Sequence, residues 1–145
     1  MSNETVTILL VEDDDADVES VLRGFRNHKI ANPFVRARDG HEALAMLRSG
    51  ISAPYLILLD LNMPRMNGIE LLQHIRQDPE LRSSIVFVLT TSNDDKDVWA
   101  AYEQNIAGYL LKEQAGKDFS NVIQMLDLYW RYVEFPPHEA EHNQT

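Results

Sequence analysis

Short apolar runs alternate along the chain with longer stretches whose apolar residues fall on one side of a helix. Four runs stand out: Ile8 to Val11, Tyr55 to Leu59, Ile85 to Leu89, and Ala107 to Leu111 with Gly108 inside it. Their length and branched, aliphatic content suit strands buried on both faces of a parallel sheet. A weaker run, Pro33 to Ala37 with Phe34 and Val35 at its centre, ends before the turn pair Asp39-Gly40. Between the runs the period becomes helical. Val18, Val21, Leu22 and Phe25 fall at i, i+3, i+4 and i+7, and Ala43, Leu44 and Leu47, then Ile69, Leu72 and Ile75, then Val98, Ala101 and Tyr102, mark further one-sided helices. Phe119 to Val133 supports a long last helix. This β-α alternation predicts an α/β fold in which helices joined by right-handed crossovers cover both faces of a parallel sheet.

The last helix carries more apolar surface than one sheet can bury. At about 100° per residue, Phe119, Val122, Ile123, Leu126, Trp130 and Val133 form one stripe, and Met125, Leu128, Tyr129 and Tyr132 form a second beside it. The first stripe is expected to face the core. The second predicts a two-fold homodimer through this helix, unless Phe135-Pro136-Pro137 folds back over it. No internal repeat is visible, so residues 1–134 are read as one domain and 135–145 as a polar, mobile tail.

With 145 residues, 44% hydrophobic and 25% charged, the chain suits a single soluble domain with a real core. Thirteen basic against twenty-three acidic residues give a net charge of -10, the wrong sign for binding nucleic acid or an anionic membrane through the whole surface. The absence of cysteine excludes disulfides, thiolate metal sites and a cysteine nucleophile. No apolar run approaches the ~20 residues that span a bilayer, and the first residues lack the pattern of a signal peptide, so we read the chain as cytoplasmic.

In an open parallel sheet, ligands bind beyond the carboxyl ends of the strands. Glu12, Asp13, Asp14 and Asp15 follow the first run, Asp60 the third, Thr90 and Thr91 the fourth, and Lys112 the fifth. Helix capping accounts for Asp14, Asp15 and Asp17. Glu12 and Asp13 abut a buried strand end and would face Asp60, where three carboxylates repel one another unless a cation neutralises them. Mg²⁺ suits such an all-oxygen site, whereas a calcium loop is excluded because neither its glycine nor its bidentate acid is present. A carboxylate fixed beside a metal ion can attack phosphorus, and Lys112 and the Thr90 hydroxyl could then meet the transferred group. Taken singly, each of these residues has a plain structural explanation. Their shared edge gives the set a chemical one.

Val11-Glu12-Asp13-Asp14, Leu59-Asp60-Leu61-Asn62-Met63-Pro64 with Gly68, Leu89-Thr90-Thr91-Ser92 and Gly108-Tyr109-Leu110-Leu111-Lys112 resemble the receiver domain of two-component response regulators, the CheY-like family. The resemblance implies a doubly wound, five-stranded parallel sheet of order 2-1-3-4-5. It also implies that Asp60 is the phosphoacceptor and that Glu12, Asp13, Asp60 and the backbone carbonyl of Asn62 hold Mg²⁺. Thr90 is then the switch hydroxyl, Lys112 the phosphate partner and Tyr109 the aromatic that reorients with Thr90. A sensor histidine kinase is the implied partner, and the chain is a stand-alone signalling phosphoacceptor rather than an enzyme, one that assists its own phosphotransfer and dephosphorylation.

Two positions depart from the common pattern. Glu12 stands where many members have Asp, which makes its contact with Mg²⁺ indirect. Glu113 stands where many have a cis proline, which favours a trans loop. Thr90-Thr91-Ser92, the missing proline and Tyr129-Trp130-Arg131-Tyr132 followed by Pro136-Pro137 are similar to the small response regulators that serve bacterial and cyanobacterial phytochromes. A haloacid-dehalogenase-like phosphohydrolase would need a carboxylate where Asn62 stands. A flavodoxin-like nucleotide binder would need a phosphate-cradling loop where the acids stand.

Overall fold

A computed structural model of the chain describes residues 5–136. Five strands, β1 (Thr7–Val11), β2 (Phe34–Ala37), β3 (Tyr55–Leu59), β4 (Ile85–Thr90) and β5 (Gly108–Leu111), form one parallel sheet in the order β2-β1-β3-β4-β5. The helices between and after them are α1 (Asp15–Asn27), α2 (Gly40–Ser49), α3 (Gly68–Gln77), α4 (Asp95–Glu103) and α5 (Ser120–Tyr132). This is the expected doubly wound architecture. Short 3-10 turns at Lys112–Gln114 and Lys117–Phe119 link β5 to α5.

The side-chain alternation of the strands sorts the core into two clusters, one on each face. Leu9, Val11, Ile57, Leu59, Val86 and Val88 pack with residues of α2, α3 and α4, among them Leu44, Leu72 and Ala101. Ile8, Leu10, Leu56, Leu58, Phe87 and Leu89 pack instead with α1 and α5, through Val21, Phe25, Ile123 and Leu126. Both faces of the central strands are therefore buried, which is why these strands read as continuous apolar runs.

Helix starts follow from single polar residues. Asp14, Asp39, Asn67 and Asp94 occupy the N-caps of α1, α2, α3 and α4, each accepting backbone N–H bonds, and Asn67 forms a reciprocal capping box with Glu70. Gly24 lets the segment before α5 dock on α1, because a Cβ there would lie 2.2 Å from the Asp118 carbonyl oxygen.

Several sequence expectations need correction. Thr90 is the last residue of β4 rather than the first beyond it. On α4 only Ala101 is fully buried, and Tyr102 points outward at 47% exposure. Along α5, Val133 of the expected core stripe is exposed, whereas Met125 and Tyr129 of the second stripe pack against the core. Tyr129 meets Phe87 edge to face at 4.9 Å, and Phe135 covers it from the other side at 6.0 Å. The chain beyond α5 thus does fold back, but over only part of the stripe. Leu128 and Tyr132 stay exposed. The expected tail begins with the half-buried Phe135 and Pro136, and its remainder, 137–145, lies outside the described residues.

Candidate functional site

The site lies at the carboxyl edge of the sheet, where β1, β3, β4 and β5 end side by side. Paired strand ends set the geometry, since Val11 stands in register with Leu59 and Thr90 with Leu111. The residues that follow, Glu12, Asp60 and Lys112, are therefore brought together although they are distant in sequence.

Glu12, Asp13 and Asp60 each offer a carboxylate oxygen, and these atoms all lie within 4.8 Å of one another. Among the described residues this is the one such cluster of potential metal ligands. Glu12 and Asp60 are buried and Asp13 is exposed, so the group opens to solvent on one side. The donor set fits a hard divalent cation that takes oxygen ligands and keeps several waters.

The loop from β3 to α3 carries Asp60 and Asn62 at this edge. The Asn62 N–H donates to Asp60 Oδ1 at 3.3 Å, and the Gly68 N–H closes the loop on the Leu61 carbonyl at 3.0 Å. A Cβ at Gly68 would stand 2.7 Å from the Asp60 carbonyl oxygen, a backbone atom that cannot yield, so the tight return demands glycine. Arg65 Nη2 donates to the buried Asp39 carboxylate at 2.6 Å and pins the same loop to the start of α2.

Lys112 does not rest primarily on Asp60. Its Nζ donates to Glu12 Oε2 and Asp17 Oδ2, both at 2.7 Å, and lies 3.5 Å from Asp60 Oδ2. Burial alone would weaken the hold of Lys112 on its proton, but the bonds to Asp17 and Glu12 and the charge of Asp60 outweigh it and raise its pKa. Glu12 is pushed up to about 7, first by burial, against the hydrogen bond from Lys112, with the Asp60 charge adding to the rise. Among the described residues Lys112 is the cation in ion-pair contact with Glu12 and Asp60, so the acids remain in excess.

The Lys112-Glu113 peptide is trans, since the one cis peptide among the described residues precedes Pro54. The chain turns instead into the 3-10 segment Lys112–Gln114.

Thr90 is fully buried. Its Oγ1 accepts from Asn62 Nδ2 at 3.5 Å and from the Ser92 N–H at 3.4 Å, long contacts that leave the hydroxyl weakly held. The Tyr109 hydroxyl donates to the Ser92 carbonyl at 2.8 Å, and Ser92 Oγ to Asp97 Oδ2 on α4 at 2.6 Å. Thr90, Tyr109 and the first turn of α4 are therefore linked through one residue, Ser92.

Tyr109, implied by the resemblance, lies inside β5 and reaches Ser92 through its hydroxyl. Sequence reading brings Glu12, Asp13, Asp60, Thr90 and Lys112 to this edge, and the structure does the same. It misses two side chains. Asp17 is not a cap, since Asp14 fills that role and Asp17 binds Lys112. Arg36 of β2 donates through Nε to the Glu12 carbonyl at 2.8 Å, and its Nη2 lies 2.9 Å from Asp15 Oδ1 as an ion pair. The only sequence signal was a lone arginine in an apolar strand.

Residues 8–124 match the model of the response regulator receiver domain. Response regulator Rcp1 of Synechocystis sp. is 39% identical over 134 residues, covering 89% of this chain and 91% of that protein. The crystal structure of the phosphorylated cyanobacterial phytochrome response regulator RcpA superposes with a TM-score of 0.82 at 32% identity, covering 92% of this chain and 100% of the other. The Mn²⁺-bound form of Rcp1 gives 0.78 at 38% identity, covering 91% and 99%. Clustered acids beside hydrogen-bonded Thr90, Ser92 and Tyr109, on a β2-β1-β3-β4-β5 sheet with these likenesses, leave one conclusion: the chain belongs to the response regulator receiver family, the phosphoryl-controlled proteins of two-component signalling.

Proposed function

We propose that Asp60 accepts a phosphoryl group from a sensor histidine kinase and that the group shifts a protein-interaction surface through Thr90 and Tyr109. The observation that carries this reading is the convergence of Asp60 with Glu12 and Asp13 beside the Lys112 ammonium. An Asp60 carboxylate oxygen attacks phosphorus of the phosphohistidine, the P–N bond breaks, and the imidazole leaves with its electron pair. Mg²⁺, held by Asp13, Asp60 and the Asn62 carbonyl, with Glu12 acting through water, supplies charge neutralisation at the phosphoryl oxygens when bound. Lys112 binds the transferred group, and the Thr90 hydroxyl donates to it. The same residues assist the later hydrolysis, and the chain carries no further enzymatic role.

Thr90 can leave its long contacts at little cost, and Tyr109, released from the Ser92 carbonyl, follows it; α4 responds through the Ser92–Asp97 bond. Likeness to the cyanobacterial phytochrome response regulator RcpA supports a phytochrome-type kinase as the donor. Exposed Leu128, Tyr132 and Val133 support a homodimer through α5. The acidic balance argues against nucleic acid and membrane as partners, and we place the protein in the cytoplasm.

The test is incorporation of acid-labile, base-labile phosphate from acetyl phosphate or a phosphorylated kinase with Mg²⁺. Asp60→Asn is expected to abolish it; incorporation at the wild-type level by that variant overturns the assignment. Thr90→Ala is expected to accept phosphate while the amide shifts around Tyr109 no longer respond.

A further inference from the structure

Asp17 stands in the first turn of α1, a position that ordinarily serves the helix end. Here Asp14 Oδ1 already accepts the Ala16 and Asp17 N–H groups at 2.9 and 3.3 Å, which leaves the Asp17 carboxylate free for another partner. It takes Lys112, 95 positions away in sequence. The next residue, Val18, is buried in the core, so α1 is anchored where Asp17 meets the sheet edge.

An ammonium has three protons to donate. Two are committed at 2.7 Å, to Glu12 and to Asp17, while Asp60 at 3.5 Å lies beyond an ordinary hydrogen bond. Glu12 belongs to the acid cluster that neutralisation by a cation would engage, whereas Asp17 lies outside it. Asp17 is therefore the partner whose evident contact is with Lys112 alone.

We propose that Asp17 is a positioning residue that holds Lys112 away from Asp60 in the unphosphorylated protein. A phosphoryl group on Asp60 must compete with it for the ammonium, so the strength of the Asp17–Lys112 pair subtracts from the stability of the phosphorylated form. This deepens, and rests on, the reading of Lys112 as the phosphate partner. Its side chain is 12% exposed and that of Asp17 is 30% exposed, so the pair is shielded enough for its charge to count.

The probe is beryllofluoride, a mimic of the phosphoryl group, titrated calorimetrically into the full chain at saturating Mg²⁺, with the lysine ammonium of Lys112 followed by NMR. Asp17→Asn keeps the shape and removes the charge. It is expected to tighten beryllofluoride binding about five-fold, because an ion pair is replaced by a hydrogen bond from the ammonium to a neutral amide, and to shift the Lys112 ammonium signal in the free protein. Asp17→Glu, which restores the charge, is expected to return the affinity toward wild type. In a Lys112→Ala background the Asp17→Asn effect is expected to fall below about twofold, since the two residues act on one another.

Unchanged or weaker binding by Asp17→Asn, with Lys112→Ala weakening it, overturns the role of Asp17 and leaves that of Lys112 standing. Equal tightening by Asp17→Asn with and without Lys112 overturns it too, because removal of a negative charge would then act on the anion directly. Wild-type affinity in Lys112→Ala overturns the phosphate-partner reading itself.

Discussion

At the amino-terminal edge of the sheet a cation is surrounded by backbone carbonyls; at the carboxyl-terminal edge a cation is surrounded by carboxylates. Arg76 of α3 donates through Nε to the Gln104 carbonyl at 2.6 Å, through Nη1 to those of Arg82 and Ser84 at 2.7 and 2.9 Å, and through Nη2 to that of Asn105 at 3.0 Å. It ties the ends of α3 and α4 and the start of β4 together, and among the described residues it makes no salt bridge. Lys112 has Glu12, Asp17 and Asp60 around it, one positive charge against three carboxylates. In the first arrangement four of the five guanidinium N–H donors are set against neutral acceptors that cannot be titrated or exchanged. The second is short of positive charge, and the deficit is what a divalent cation and a phosphoryl group can act upon. One edge is built to stay fixed and the other to respond.

The largest effect expected from breaking this contrast is at the fixed edge. Arg76→Ala removes four charge-assisted hydrogen bonds to backbone carbonyls at once, and we expect a loss of about 3 kcal/mol in urea denaturation, with Mg²⁺ affinity unchanged in the folded fraction. A loss below about 1 kcal/mol would remove the structural role assigned to the clamp.

At the responsive edge the next effect has the opposite sign. Mg²⁺ that binds only the native state is expected to raise stability by about 2 kcal/mol once its free concentration exceeds Kd some ~30-fold. Thermal melts measure this directly. The gain should vanish in Asp13→Ala, and the cation should do nothing for Arg76→Ala beyond what it does for wild type.

A smaller effect is expected at Asp39, which follows the carboxyl end of β2. Its carboxyl is held below the usual carboxylate range, first by the Glu42 N–H it caps and further by Arg65. A depressed folded pKa means stabilisation that is present above the ordinary value near ~4 and lost as pH falls through the lowered one. Asp39→Ala is expected to cost about 1 kcal/mol at neutral pH, with the difference from wild type narrowing in chemical denaturation series below about pH 4. A gap that widens on acidification would mean that the carboxylate is not what stabilises the loop.

Least is expected from a charge pair that belongs to neither edge. Arg131 and Asp127 lie one turn apart on α5, at 3.2 Å with the arginine 65% exposed. Arg131→Ala should change the unfolding midpoint by less than about 0.5 kcal/mol. A larger change would show that distance on this surface is a better guide to energy than burial.

Local pattern alone determined the strands and helices of this protein, because a run such as Tyr55 to Leu59, or Val18-Val21-Leu22-Phe25, carries its own period and meets the same requirement for burial wherever it packs. The identity of the main site residues was legible for a related reason. Glu12, Asp13, Asp60, Thr90 and Lys112 sit at or just beyond strand ends, and parallel strands in register bring such ends to one edge. What tertiary structure decided was who pairs with whom. Asp17 read as a cap because capping is local, yet it binds a lysine that only the β4–β5 register delivers. Tyr129 read as surplus surface because helical periodicity does not know that Phe87 lies beneath it and Phe135 beside it. The partners of Arg36 and Arg76 were not legible locally, since their Nε groups donate to backbone carbonyls, which every residue possesses and only folding aims.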